Sequence, residues 1–217
     1  MPRTIEEQIQ VWLMWILKAL VAGVVVWALV FGEWETFFTA VLALSLMFVP
    51  NIITLRTPIT VPIEFAFVMV LFTFLSVFLG EIADAYERFF WWDAFLHTWA
   101  GVVFGLVGFL ILYILDSQKK IKTSLFIIAM FVFSFSMAVG AIWEIFEFGM
   151  DEIFGLNLQK SGLDDTMWDL IVNFFGALFI SWAGYGYMKY PKRSRFVSRF
   201  IISFLKANPR IEDRFKH

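Results

Sequence analysis

The chain has 217 residues, of which 60% are hydrophobic and 17% are charged, and its formal net charge is -2. Soluble domains carry about 25% charged residues, so this composition excludes an ordinary water-soluble domain and indicates a polytopic membrane protein. The chain contains no cysteine, which excludes disulfides, thiolate metal ligands and a cysteine nucleophile.

Apolar runs of roughly 20 residues, the length that crosses a bilayer as a helix, recur along the chain. The predicted spans cover residues 10–31, 34–52, 60–80, 92–115, 122–150 and 166–188. No small-residue cleavage site follows the N-terminal segment, so we expect the first span to be a retained helix and not a signal peptide. The predicted fold is therefore an all-α integral membrane protein, a bundle of about six transmembrane helices that forms a single domain over residues 1–190.

Basic residues are distributed unequally between the two sides of this bundle. Of the 17 basic residues, 14 lie in the N-terminal segment, in the loops around Arg56 and Lys120, or in the tail that begins at Lys189. The opposite side holds only Arg88 and Lys160. The positive-inside rule then predicts that both termini are cytoplasmic. Lys18 lies within the first span, where we expect it to pair or to snorkel.

The segment 191–217 is a basic cytoplasmic tail. Phe196, Phe200 and Phe204 recur at every fourth position, with basic residues between them. This spacing is typical of an amphipathic helix lying on an anionic lipid surface. A solvated basic tail that only enforces the topology is the alternative, and the sequence does not choose between the two.

Three of the predicted spans carry polar side chains at spacings of three or four residues, which place them on one face of each helix. These residues are Asp93 and His97 in the fourth span, Glu144, Glu147 and Asp151 in the fifth, and Asp165, Asp169 and Asn173 in the sixth. The fourth and sixth spans begin at the outer surface and the fifth ends there. Short connections between antiparallel helices therefore bring the three stripes together at one depth.

Carboxylates placed so closely require protons or a cation, because these stripes contain no Lys or Arg. Carboxylates and an amide suit Mg, Mn or Ca, whereas the imidazole of His97 also admits Zn or Fe, so a divalent metal ion is predicted without its identity. Taken singly, Asp93 is explained equally well as a helix N-cap and His97 as a hydrogen-bonded packing residue. The glycines on the same stripes, at positions 101, 105, 140 and 176, indicate close helix contacts.

The motif order D-x3-H, W-E-x2-E and D-x3-D-x3-N resembles an uncharacterised family of bacterial inner-membrane proteins typified by YjdF. The first motif is Asp93 and His97 in WWDAFLHTWAG, and the second is Trp143, Glu144 and Glu147 in AIWEIFEF. The third is Asp165, Asp169 and Asn173 in DDTMWDLIVNFFG. The resemblance covers residues 81–188. It implies a membrane protein of the bacterial cytoplasmic membrane and groups these residues, but it names no reaction.

Two functions fit a carboxylate and histidine site at the outer end of the bundle. The first is a metal-dependent hydrolase or transferase acting on a lipid or lipid-linked substrate, with His97 or Glu147 as general base. The second is a divalent-cation or proton-coupled transporter. The cytoplasmic halves of the fourth and sixth spans contain no ionisable acid, which favours the enzyme. A non-catalytic metal or ligand sensor is the third alternative. Membrane lipids are the expected partners, no nucleic acid is expected, and the oligomeric state is left open.

Overall fold

A computed structural model describes residues 4–117, 123–155, 157–190 and 195–212 of the chain. All regular structure in these ranges is helical. The elements are α1 (Ile5–Phe31), α2 (Trp34–Met47), α3 (Val49–Arg56), α4 (Ile63–Thr73) with a π-helical continuation (Phe74–Ile82), α5 (Ala85–Arg88), α6 (Trp92–Ser117), α7 (Leu125–Phe154), α8 (Leu163–Lys189), α9 (Arg195–Ala207) and α10 (Pro209–Glu212).

Five helices in the described ranges are long and apolar enough to cross a membrane. A sixth span results if α2 and α3, which meet at an angle of 42°, are counted together. Pro50 lies in the first turn of α3, where it cannot donate the backbone hydrogen bond that would continue α2. The predicted all-α fold with about six spans is confirmed, while the bend in the second span was not predicted. The cytoplasmic location of the termini stays a prediction.

The helices group into two compact units, which are described separately. The first unit comprises residues up to Trp92 together with 206–208. Its core contains Val21, Met47 and Val70. Lys18 is buried in this unit and its ammonium group donates a hydrogen bond to Asn51 Oδ1 at 3.0 Å. The expectation that Lys18 pairs inside the protein is therefore confirmed.

The second unit comprises 93–205 and the residues from 209 onward. Its core is formed by apolar side chains of α6, α7, α8 and α9, among them Phe109, Val132 and Ile180. Two buried hydroxyls also connect neighbouring helices. Ser136 Oγ on α7 donates to the carbonyl of Gly101 on α6 at 2.7 Å, and Ser181 Oγ on α8 donates to the carbonyl of Ala129 on α7 at 2.7 Å. Hydroxyl to carbonyl bonds of this kind stabilise helix contacts where lipid offers no partner.

The tail forms the predicted helix as α9, and its apolar face packs against the protein. Val197 and Ile201 belong to the core of the second unit, and Phe204 is buried as well. The buried stripe thus follows 197, 201 and 204, whereas the side chain of Phe196 lies outside the described ones. The core of the second unit covers Val197 and Ile201, and contact of the tail with lipid stays a prediction. The division into one domain over 1–190 and a tail over 191–217 stays a prediction.

Candidate functional site

Glycines allow α6 and α8 to approach each other closely beside the predicted polar stripes. A Cβ atom on Gly176 would collide with the backbone carbonyl oxygen of Thr98 on α6. A Cβ atom on Gly101 would lie 2.6 Å from the carbonyl oxygen of Asn173 on α8. Both obstacles are backbone atoms, which cannot move aside as a flexible side chain can. The prediction that these glycines serve close helix contacts is confirmed.

Asn173 lies in the narrow space that these glycines leave between the helices. It is 1% exposed, and a Cβ atom on either Gly101 or Gly140 would collide with its side chain or backbone. Its amide nitrogen donates to Met137 Sδ on α7 at 3.6 Å. The structure therefore shows Asn173 as a packing residue one helical turn below Asp169, and a role as metal ligand stays a prediction.

Asp93, His97 and Asp169 form a compact group of potential metal ligands. One ligand atom from each side chain lies within 4.8 Å of those of the other two. His97 Nε2 is 3.4 Å from Asp93 Oδ1. Divalent ions bind nitrogen and oxygen at about 2.0–2.6 Å, so two ligands of one ion are at most about 4–5 Å apart. The three side chains thus fit around one ion, and they come from α6 and α8, two of the helices that the sequence predicted.

Glu144 of α7 lies next to the second ring nitrogen of His97. Its side chain is 6% exposed, and its Oε1 atom lies 3.6 Å from His97 Nδ1. Neither carboxylate oxygen accepts a hydrogen bond from the described residues, although the hydroxyl of Thr166 lies nearby. Burying a carboxylate that accepts no hydrogen bond costs free energy, so we expect a partner with positive charge next to Glu144.

Glu147 lies on the same face of α7, one turn further along, and is half-buried. Its Oε1 atom accepts a hydrogen bond from the indole N–H of Trp143 at 2.8 Å. Glu147 also interacts electrostatically with Glu144, Asp93 and Asp169. It therefore borders the group without belonging to the three residues whose ligand atoms converge.

Asp151 is engaged in the loop between α7 and α8. Its two carboxylate oxygens accept hydrogen bonds from the backbone N–H groups of Leu158 at 2.7 Å and Gln159 at 2.9 Å. The structure does not bring it into the convergent group. Its predicted role as a ligand has no support from this geometry, while its role as a loop anchor is evident.

Asp165 lies in the first turn of α8, between the preceding loop and Asp169 in the sequence. It is half-buried, it interacts electrostatically with Lys160, and it also influences Asp169 and Glu144. Like Glu147, it is a neighbour of the group and not one of the three convergent ligands.

Two supporting contacts were not predicted from the sequence. Trp143 donates to Glu147, and the side-chain amide of Gln159 donates to Thr166 Oγ1 at 2.7 Å. The spacing of four between Trp143 and Glu147 is a signal that sequence inspection could have used. The contact between Gln159 and Thr166 depends on the loop conformation and leaves no such pattern.

Comparison with known proteins places the chain in a family. A family described as "Predicted membrane protein (DUF2238)" matches residues 12–190. The chain belongs to this family. It is also similar to a protein of Thermotoga maritima named "Uncharacterized protein", with 34% identity over 104 residues, which are 48% of this chain and 52% of that protein. The match thus spans about half the length of that relative, and no solved structure matches the chain. The resemblance to an uncharacterised membrane-protein family is confirmed.

Proposed function

We propose that this protein is a divalent-metal-dependent membrane enzyme, a hydrolase or transferase, that acts on a lipid or lipid-linked substrate. The observation that carries the proposal is the convergence of Asp93, His97 and Asp169 beside the buried, unpartnered carboxylate of Glu144. Convergent ligands alone occur in proteins without metal. A fourth acidic group, Glu144, is buried beside them and accepts no hydrogen bond of good geometry from the described residues, which is a further sign that a cation belongs there.

The three side chains would leave part of the coordination sphere of a metal open. Three protein ligands leave at least one coordination position for water or substrate, as in catalytic zinc centres. The side chain of Asp93 is 28% exposed, whereas that of His97 is 11% exposed. Water or substrate would therefore reach a metal held here from the side of Asp93. There the metal would polarise a phosphoryl or carbonyl oxygen, or supply hydroxide from bound water.

Each charged side chain then has a role that follows from its contacts. His97 would hold the metal through Nε2, which faces Asp93, while its Nδ1 faces Glu144. Glu144 either joins the ligands or accepts the second N–H of His97, as carboxylates next to metal-bound histidines do. Glu147 lies beside the group and is oriented by Trp143, so we assign it as the general base.

The metal itself is drawn from Zn, Mg, Mn, Ca and Fe, since two carboxylates and one imidazole suit all five. The site lies near the ends of membrane-spanning helices, within the first two turns of α6 and α8. With both termini in the cytoplasm of a bacterial-type cell, this end faces the outer leaflet of the cytoplasmic membrane. A substrate would then reach it from the lipid interface.

Transport is the competing function, and the interior of the second unit argues against it. A transported cation needs polar groups along its whole path. Below the site, the described side chains between α6, α7 and α8 are mainly apolar and include Leu106, Val132 and Ile180. The buried polar ones among them are Asn173, Ser136 and Ser181, none of which is ionisable. A site reached from one side therefore fits this packing better than a path through it.

The test combines metal analysis with lipid turnover. Wild-type protein, Asp169→Asn and the control Asp164→Asn are purified in detergent, loaded with divalent metal and analysed for bound metal. Asp164 is an exposed residue in the first turn of the same helix and is not one of the three convergent residues. Each protein is then incubated with a bacterial total lipid extract, and the products are identified by mass spectrometry.

We expect the wild type and Asp164→Asn to hold metal and to convert a lipid, and Asp169→Asn to do neither. A wild-type protein that stays metal-free under loading would contradict the proposal. Cation uptake into proteoliposomes that depends on Asp169 would replace the enzyme with a transporter.

A further inference from the structure

We propose that the metal site acts on the linkage region of a membrane glycerolipid, where phosphate and ester groups join the headgroup to the acyl chains. This inference rests on the proposed function, and it adds the part of the lipid that meets the metal. Two observations on the second unit carry it. One is the depth at which its helices place Asp93, His97 and Asp169, and the other is a set of exposed tryptophans at that depth.

Three helices place the site at the same distance from their opposite ends. His97 precedes the C-terminal end of α6 by about 20 residues, and Asp169 precedes that of α8 by about 20 residues. Glu144 follows the N-terminal end of α7 by about 19 residues. Because an α-helix rises about 1.5 Å per residue, each of these paths measures about 30 Å.

This distance matches the hydrocarbon core of a bilayer, which is about 30 Å thick. Basic residues are found at the far ends of the helices, since Lys119 and Lys120 follow α6 in the sequence and Lys189 ends α8. Basic side chains at the ends of spans lie at the membrane boundary and not in the core. With these ends at one boundary of the core, the site lies at the other boundary.

Exposed tryptophans lie at the level of the site on all three helices. Trp99 of α6, Trp143 of α7 and Trp168 of α8 are between 41% and 65% exposed. In the sequence each is within two residues of a side chain of the site, so it has nearly the same depth but lies on another face of its helix. Tryptophan rings are enriched at membrane boundaries. The tryptophans therefore support the depth derived from the helix lengths.

One exposed stripe of α8 follows the core from this boundary inward. Trp168, Phe175, Phe179 and Trp182 are each at least 55% exposed, and their spacing places them on one face of the helix. A continuous apolar face of a spanning helix is the surface that lipid covers. Phe179 lies about 16 Å further along α8 than Trp168, which puts it near the middle of the core.

The boundary is the depth at which a membrane lipid offers oxygen ligands. Phosphate and glycerol ester groups lie in the interfacial region just outside the hydrocarbon core, whereas the middle of the core contains only acyl chains. A divalent ion with an open coordination position binds and polarises such oxygens. Asp93, the most exposed of the three convergent residues with a printed contact to His97, lies one turn nearer the helix end, so the site opens towards this region.

The first experiment measures depth without any metal. The chain contains no cysteine, so a nitroxide label on a single introduced cysteine reports one position. The labelled variants are Leu163→Cys, Trp168→Cys, Phe175→Cys and Phe179→Cys, reconstituted into vesicles of phosphatidylethanolamine and phosphatidylglycerol. Oxygen collects in the hydrocarbon core and a nickel chelate stays in water, so the ratio of their effects on the label's relaxation increases with depth.

We expect the ratio to be highest at position 179, lower at 175, several-fold lower at 168, and lowest at 163. A ratio at position 168 as high as that at 179 would place the site among acyl chains and overturn the inference. A ratio at 168 equal to that at 163 would place the site in water, which overturns it as well.

The second experiment locates the metal relative to the lipid. Mn²⁺ bound to the protein accelerates the relaxation of lipid nuclei, and the effect falls steeply with distance. In the same vesicles we expect faster relaxation of the phosphate ³¹P and ester carbonyl ¹³C signals than of the acyl terminal methyl. The effect should persist in Asp164→Asn and disappear in Asp169→Asn, which corrects for Mn²⁺ bound directly by headgroups.

The two experiments separate this inference from the proposed function. Bound Mn²⁺ that affects the terminal methyl most, or affects no lipid nucleus, overturns the linkage region as the target. A wild type that binds no Mn²⁺ contradicts the proposed metal site, and the nitroxide labels then still decide the depth of the acidic group.

Discussion

The buried carboxylate of Glu144 faces the imidazole of His97, with Oε1 3.6 Å from Nδ1. The other ring nitrogen, Nε2, faces Asp93 at 3.4 Å. His97 is thus enclosed between carboxylates of two helices, while Glu144 accepts no hydrogen bond from the described residues. This pairing ties α7 to a site whose convergent ligands come from α6 and α8.

Replacement of Glu144 by glutamine is expected to separate metal binding from folding. Glu144→Gln removes the charge that supports His97 and should lower Mn²⁺ affinity about 10–100-fold, the effect typical of groups that orient a metal ligand. Without metal, the variant should be at least as stable as the wild type, because a buried unpartnered carboxylate is removed. Manganese titration and thermal unfolding with and without metal measure both effects.

The matched control for this variant is Glu152→Gln, which changes an exposed glutamate of the same helix. It should alter neither quantity. If Glu144→Gln binds manganese as tightly as the wild type, Glu144 has no part in the metal site.

Removal of the Asp151 carboxylate is expected to loosen the loop and to leave the metal in place. Asp151→Ala deprives the backbone N–H groups of Leu158 and Gln159 of their acceptor. Amide hydrogen exchange in residues 157–162 should therefore become faster, since local opening costs less free energy. Glu152→Ala serves as the control. Loss of metal in Asp151→Ala would instead show that Asp151 is a ligand.

A methyl group at Gly176 is expected to destabilise the second unit. The Cβ atom of Gly176→Ala would meet the backbone carbonyl of Thr98, which cannot rotate away. Overpacking of this kind costs about 1–3 kcal/mol. Gly186→Ala on the same helix meets no atom within 4 Å and should be neutral or stabilising, because alanine favours helices. Unfolding titrations in mixed micelles compare the two variants, and equal stability would show that the close contact is not rigid.

A charge at Ile201 is expected to dislodge α9. Ile201 is 1% exposed and belongs to the core of the second unit, whereas its neighbour Ile202 is 46% exposed. Ile201→Asp should therefore lower the unfolding free energy by several kcal/mol, the usual cost of a buried unpaired charge, and Ile202→Asp should not. Limited proteolysis of the tail and unfolding titrations report the difference. Similar behaviour of the two variants would favour a helix that lies on the lipid surface.

Most of the candidate site was predictable because helix periodicity and topology are local properties. A spacing of four places Asp93 above His97 on one face whatever surrounds them, and alternating spans bring the ends of α6, α7 and α8 to the same level. Glycines at 101 and 176 also indicated where backbones approach. Which of the eight candidate residues converge, and which make other contacts, was not predictable in this way.

Asp151 and Asn173 illustrate the reason. Both follow the same spacing rule as the convergent ligands, yet Asp151 is bound by backbone N–H groups of a loop and Asn173 fills a gap beside Gly140. Periodicity specifies the face of a helix, but not the partner that each side chain meets. That choice depends on contacts between residues far apart in the sequence.

Composition and periodicity were sufficient for a helical membrane protein with acidic stripes at one end. These features depend on residues within a few turns of one another, and helix geometry fixes the relative positions of such residues. Three-dimensional packing alone brought Asp93, His97 and Asp169 together as potential ligands, left the carboxylate of Glu144 without a hydrogen bond from the described residues, and buried Ile201 of the tail. The free energy of such contacts is set by which atoms meet across helices, and a linear pattern does not contain that information.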